Sequence, residues 1–191
     1  MNDVFDKLFI LEMANNHCGK VEKGVAIISA MKEVIDFLKS SFSLNTEFQY
    51  AMKFQFRNLD TFIHPDFKGN NDFKYVKRFS ETELKKEDFK ILKDKAVELG
   101  FKTICTPFDE QSVDTIEELN FDIIKIASCS LTDWPLLERI ALTDKPLIIS
   151  TAGNSLFDID TVVTFFKHRN KKFSLMHCVA EYPTEEENLN L

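Results

Sequence analysis

Short apolar runs alternate along the chain with longer stretches in which apolar residues return every three or four positions. The runs KLFILEMA (Lys7–Ala14), QYAMKFQF (Gln49–Phe56), KTICTPF (Lys102–Phe108), DIIKIAS (Asp122–Ser128), PLIIST (Pro146–Thr151) and FSLMHCV (Phe173–Val179) predict six strands. Five helices are predicted between them, over Lys23–Phe42, Ser80–Gly100, Glu110–Asn120, Asp133–Asp144 and Ser155–Asn170. Ser80 with Glu83 reads as a capping box, Gly100 as a C-cap and Asp133 as an N-cap. Arg57–Ser80 reads as a long polar loop. Strands separated by helices imply a parallel sheet, either doubly wound or closed into a (β/α) barrel.

Two features favour the barrel. Polar residues gather at the carboxyl ends of successive strands, at Glu12, Lys53, Thr106, Lys125, Ser128, Ser150, Thr151 and His177, where barrel enzymes place their chemistry. No glycine-rich turn follows the first strand, so the dinucleotide fingerprint of a doubly wound fold is missing. The expected class is therefore α/β, a TIM (β/α)8-type barrel that is incomplete, with about six β/α units. A parallel sheet that stays open leaves edge strands unpaired. The expectation for residues 1–191 by themselves is therefore poor folding and no turnover.

Bulk properties narrow the function classes. The length suits one domain, and the balance of 24 basic and 31 acidic residues gives a net charge of -7. That balance, without any basic stripe, argues against nucleic acid and against an anionic membrane surface. The amino terminus shows no signal-peptide pattern and no run approaches the ~20 apolar residues of a spanning helix, so a cytoplasmic location is expected. Cys18, Cys105, Cys129 and Cys178 are widely spaced, which predicts reduced thiols.

Lys53 and Lys125 stand inside otherwise apolar strands, AMKFQF and IIKIAS. Charged side chains are seldom buried without a partner. The bland reading is a snorkelling side chain or a structural ion pair. The functional reading joins both lysines with the hydroxyls of Thr106, Ser128 and Ser150 in a pocket for phosphate or carboxylate. A Schiff base on either lysine is a further chemical use. Glu12, ending the first strand, can balance the lysines or transfer a proton. Asn15 and Asn16 read as an Asx-rich turn. His17 has no partner at metal-ligand spacing, His64 and His168 read as surface residues, and of His177 and Cys178 at most one faces the interior.

The ordered strings EMANNHCG, MKFQ, TPFDEQSVD, FDIIKIASCSLTDWPLLERIA, KPLIISTAG and LMHCVAEYPTEEENLNL resemble the sialic acid synthase (N-acetylneuraminate synthase) family, which includes legionaminate and pseudaminate synthases. The resemblance runs from Leu11 to Leu191, the amino-terminal part of that family's barrel. It implies condensation of phosphoenolpyruvate with an N-acylmannosamine-type amino sugar, or its 6-phosphate, with phosphate release. It assigns phosphoenolpyruvate to Lys53, Thr106, Lys125, Ser128, Ser150 and Tyr182, and acid-base work to Glu12. It further implies a divalent metal (Mn or Mg) with ligands outside this chain, a homodimer at full length, and an antifreeze-like domain that these residues lack. The family pattern is altered at Ala14, Cys129, Ser130, Ala180 and Glu181. Two other readings stand beside it: a truncated, non-catalytic relative that binds phosphoenolpyruvate or a partner, and a different aldolase on the same scaffold.

Overall fold

The computed structural model describes residues 3–42 and 47–191. Six strands are present: β1 (Leu8–Glu12), β2 (Gln49–Phe56), β3 (Lys102–Pro107), β4 (Ile123–Ile126), β5 (Leu147–Ser150) and β6 (Phe173–Met176). Their order in the sheet follows the chain, β1-β2-β3-β4-β5-β6. The pairings β1–β2, β4–β5 and β5–β6 are parallel. This is the α/β arrangement expected of consecutive β/α units, six where a closed barrel of this type has eight. The chain forms two compact units, residues 1–104 and 105–191.

In the first unit, helix α1 (Val21–Phe42) turns Gly24, Ile28 and Ile35 inward. Helix α4 (Lys86–Glu98) turns in Phe89, Leu92 and Ala96. Positions spaced by three, four and seven residues fall on one helical face, and this spacing produces the α1–α4 contact. At Gly24 an added Cβ would stand 2.6 Å from Leu92 Cδ2 and 3.4 Å from His17 Cβ.

The segment after β2 departs from the sequence expectation of a polar loop. It folds into α2 (Leu59–Phe62), a 3-10 turn (Pro65–Phe67) and α3 (Lys74–Glu81). Aromatic pairs hold it, with Phe67 and Phe73 centroids 4.8 Å apart and Phe62 and Phe79 5.7 Å apart. The Arg57 guanidinium lies 4.2 Å from the Phe79 ring, a favourable cation–π placement. The helix predicted from Ser80 accordingly begins later. Ser80 Oγ donates back to the Val76 carbonyl at 3.0 Å, while at the start of α4 Asp88 Oδ2 accepts the Lys85 backbone amide at 3.1 Å.

In the second unit, α5 (Glu110–Glu118), α6 (Trp134–Ala141) and α7 (Leu156–His168) separate the strands. Asp133 caps α6 by accepting from the Leu136 amide, as its position predicts. Ser155 and Asp158 form a reciprocal box at the start of α7. Arg139 of α6 donates to Asp114 and Glu117 of α5 at 2.8 and 2.5 Å. All four residues of β4 and the first three of β5 are buried, which is why these runs read as continuous apolar segments rather than alternating ones.

Leu92 is fully buried, and a side chain at position 24 would have to displace it. Gly24→Val should therefore lower stability by about 1–3 kcal/mol through overpacking, read as a fall in the urea midpoint. An unchanged midpoint would show that the two helices can separate.

Candidate anion-binding site

The first-unit residues of interest lie on β1 and β2. Parallel register places Glu12 opposite Lys53, and residues opposite one another project to the same face of a sheet. The Lys53 ammonium lies 2.5 Å from Glu12 Oε2, with the lysine side chain 11% exposed and the glutamate 49%. Glu12 Oε1 accepts the Ala14 amide at 2.9 Å. Glu12 is therefore the counter-ion of Lys53 and also fixes the turn that follows β1. The sequence weighed a structural ion pair against an anion pocket for this lysine, and an ion pair is what forms.

The turn after β1 corrects one expectation. Asn15 is not an Asx cap: its side chain is buried and its Oδ1 accepts from Gln55 Nε2 of β2 at 2.6 Å. His17 is buried at 1% exposure, its Nδ1 accepting the Gly19 amide at 3.1 Å. Burial, and secondarily the nearby Lys23 cation, holds its pKa below the usual 6.5. Among the described residues no group of three or more His, Cys, Asp or Glu side chains is placed to hold a metal ion. The described side chains thus do not fit a resident divalent cation.

The second unit carries the denser cluster. Lys125 is the third residue of β4 and only 6% exposed. Its ammonium donates to the Ser150 hydroxyl and, at 3.2 Å, to the Ile126 carbonyl. Ser150 ends β5 and also receives the Cys178 thiol, with Sγ 3.3 Å from Oγ. On β3, the strand beside β4, the Thr106 hydroxyl is buried and has no hydrogen-bond partner among the described residues. An orphaned buried hydroxyl costs about 1–3 kcal/mol, and a ligand oxygen would relieve it.

The remaining predicted positions are spread around this cluster. Ser128 opens a 3-10 turn directly after β4, and its carbonyl accepts from Asn154 Nδ2 at 2.9 Å. Tyr182 stands in solvent at 97% exposure. Glu181 Oε2 accepts from Asn188 Nδ2 at 2.9 Å. His177 Nε2 meets the Leu189 carbonyl at 2.8 Å, whereas Cys178 reaches Ser150. The two side chains thus diverge, as neighbouring positions along an extended chain should. The Cys178 and Asn154 contacts were not foreseen. Both residues lie just outside strands, where no periodicity signals side-chain direction.

The observed class is thus a barrel-type α/β protein with lysine and hydroxyl side chains at the carboxyl ends of its strands. The chain belongs to the NeuB family, whose model matches residues 49–191. It is 29% identical to the N,N'-diacetyllegionaminic acid synthase of Legionella pneumophila over 95% of this chain and 51% of the relative. The crystal structure of a protein assigned as spore coat polysaccharide biosynthesis protein E, from Chromobacterium violaceum, superimposes with a TM-score of 0.89 at 56% identity, covering 96% of this chain and 52% of that one. The N-acetylneuraminic acid synthetase of Leptospira borgpetersenii serovar Hardjo-bovis, solved in complex with citrate, superimposes with a TM-score of 0.78 at 28% identity, covering 96% and 57%. The chain spans about half the length of these relatives.

The depressed His17 pKa makes stability depend on pH. The unfolded chain binds a proton near pH 6.5 while the folded chain resists it, so stability falls as pH drops below that value. His17→Gln keeps an acceptor for the Gly19 amide without the proton uptake. Urea titrations between about pH 7 and 5, spanning the ordinary imidazole range, should show a shallower loss in the variant. Equal slopes would show that His17 already binds its proton in the native state.

Proposed function

We propose that these residues form the phosphoenolpyruvate-binding portion of a nonulosonic acid synthase. The reaction is condensation of phosphoenolpyruvate with an N-acylmannosamine-type amino sugar, or its 6-phosphate, with release of phosphate. The observation that carries the reading is the pairing of a buried lysine with hydroxyl groups in the second unit. Lys125 bonds to Ser150, and the unsatisfied Thr106 hydroxyl lies on the adjoining strand. An ammonium and hydroxyl donors at strand ends suit a ligand that is almost all acceptor oxygens, as phosphate and carboxylate are. Membership of the NeuB family and likeness to named sialic and legionaminic acid synthases support the reading.

In this reading Lys125, Ser150, Thr106 and Ser128 hold the anionic groups of phosphoenolpyruvate, and Lys53 is assigned to that ligand by family resemblance alone. Tyr182, which is exposed, is assigned to the ligand by family resemblance alone. Glu12 is the proton-transfer group, kept in place by Lys53 and the Ala14 amide. Cationic and hydroxyl donors that are already positioned stabilise charge developing on the leaving phosphate. The divalent metal that the resemblance implies would draw its ligands from outside the described residues.

Replacing Lys125 by alanine removes the central cation. Loss of a hydrogen-bonded, desolvated charge partner should weaken phosphoenolpyruvate binding by at least about 2 kcal/mol, roughly 30-fold, measured by isothermal titration calorimetry. Circular dichroism checks that the variant stays folded. Undiminished affinity in a folded Lys125→Ala protein rejects the assignment.

A further inference from the structure

Two groups converge on the Ser150 oxygen, Lys125 and Cys178, and their hydrogens do not suffice for every arrangement. Lys125 is a donor only and occupies one lone pair of Oγ. The Cys178 sulfur lies 3.3 Å from the same oxygen and 3.4 Å from the Met176 carbonyl oxygen. A thiol has one hydrogen to give. Directed at Ser150, it fills the second lone pair, and the serine hydrogen must then point away from both neighbours. Directed at Met176, it leaves sulfur as an acceptor, and the serine hydrogen can turn inward to it. The Met176 carbonyl already receives the Thr151 hydroxyl at 2.9 Å and keeps one lone pair, as Ser150 Oγ does beside Lys125, and the shorter of the two sulfur distances is the one to Ser150.

We infer that Cys178 is a positioning residue for Ser150: its thiol, donating to an oxygen that also receives Lys125, commits the serine hydroxyl to donate outward to a bound anion. The inference rests on the phosphoenolpyruvate reading of this cluster and adds a residue to it. Parallel pairing sets Ser150 opposite Met176, so a residue two positions past the end of β6 returns to the face on which Ser150 projects. The small, half-buried thiol suits this place because it donates one hydrogen and brings no charge to a site meant for an anion. Packing alone would also put a cysteine here, and the two roles predict different variant behaviour.

Calorimetric titration of phosphoenolpyruvate into wild type, Cys178→Ser, Cys178→Ala, Ser150→Ala and the Ser150→Ala/Cys178→Ala double variant separates them. Loss of one neutral hydrogen bond should make Cys178→Ala bind roughly 3- to 10-fold more weakly. Cys178→Ser, which can still donate, should recover affinity to within about twofold, well inside the value of that bond. In the Ser150→Ala background the alanine at 178 should cost nothing further, since the hydroxyl it orients is gone. Should alanine unfold the chain, Cys178→Val removes the donor while keeping bulk. The inference is overturned if loss of the thiol leaves affinity unchanged, if it costs as much without Ser150 as with it, or if serine fails to rescue. Wild type and Lys125→Ala binding alike would sink the phosphoenolpyruvate reading, and this inference with it. Lys125-dependent binding that is indifferent to Cys178 sinks the inference alone.

Discussion

An ammonium group buried within a four-residue apolar strand is the constraint around which the second unit is arranged. Removing such an ion from water costs several kcal/mol, and β4 offers only Ile123, Ile124 and Ile126 beside Lys125. Compensation comes from oxygens at the carboxyl end of the sheet, the Ile126 carbonyl and the Ser150 hydroxyl. The strand must end where it does for the ammonium to reach them, and β5 must stop at Ser150. The 3-10 turn at Ser128 and the loop anchored by Asn154 follow from that boundary.

The first unit solves a similar problem differently. Lys53 has a carboxylate directly opposite it on the neighbouring strand. A half-exposed ion pair adds little to stability on its own, so the pair is better understood as fixing where two charges stand. Glu12 spends its second oxygen on the Ala14 amide, which ties the orientation of the carboxylate to the backbone. Lys53 thus sits against a carboxylate, while Lys125 donates to a hydroxyl and to a carbonyl oxygen. On family resemblance both are assigned to the same ligand, and they differ in how their charge is compensated.

Much of this arrangement was legible in the amino-acid pattern. Strand β2 coincides with its predicted bounds because eight residues rich in aromatic and aliphatic side chains lie between polar stretches. The caps at Asp133 and Gly100 were legible because each uses local chemistry that a few neighbouring residues specify, the latter with a φ of +84°. The segment after β2 was not legible. Its helices are held by Phe62, Phe67, Phe73 and Phe79 meeting one another across turns, and such contacts leave no regular period. The same holds for Asn15, whose bond to Gln55 joins residues 40 positions apart. Lys125 announced itself through its incongruity, whereas for Cys178 the pattern says only that at most one of it and His177 faces the interior.

The parallel register between β1 and β2 has a consequence for how this chain can change over time. Side chains alternate faces along a strand, so a single-residue insertion or deletion inside either strand would send Lys53 and Glu12 to opposite sides of the sheet. Length variation is therefore confined to the connections. The aromatic excursion between β2 and α4 begins and ends outside both strands, leaving the charged pair indifferent to its length. It is the natural place for related proteins to lengthen, shorten or rebuild their surface without disturbing the ion pair.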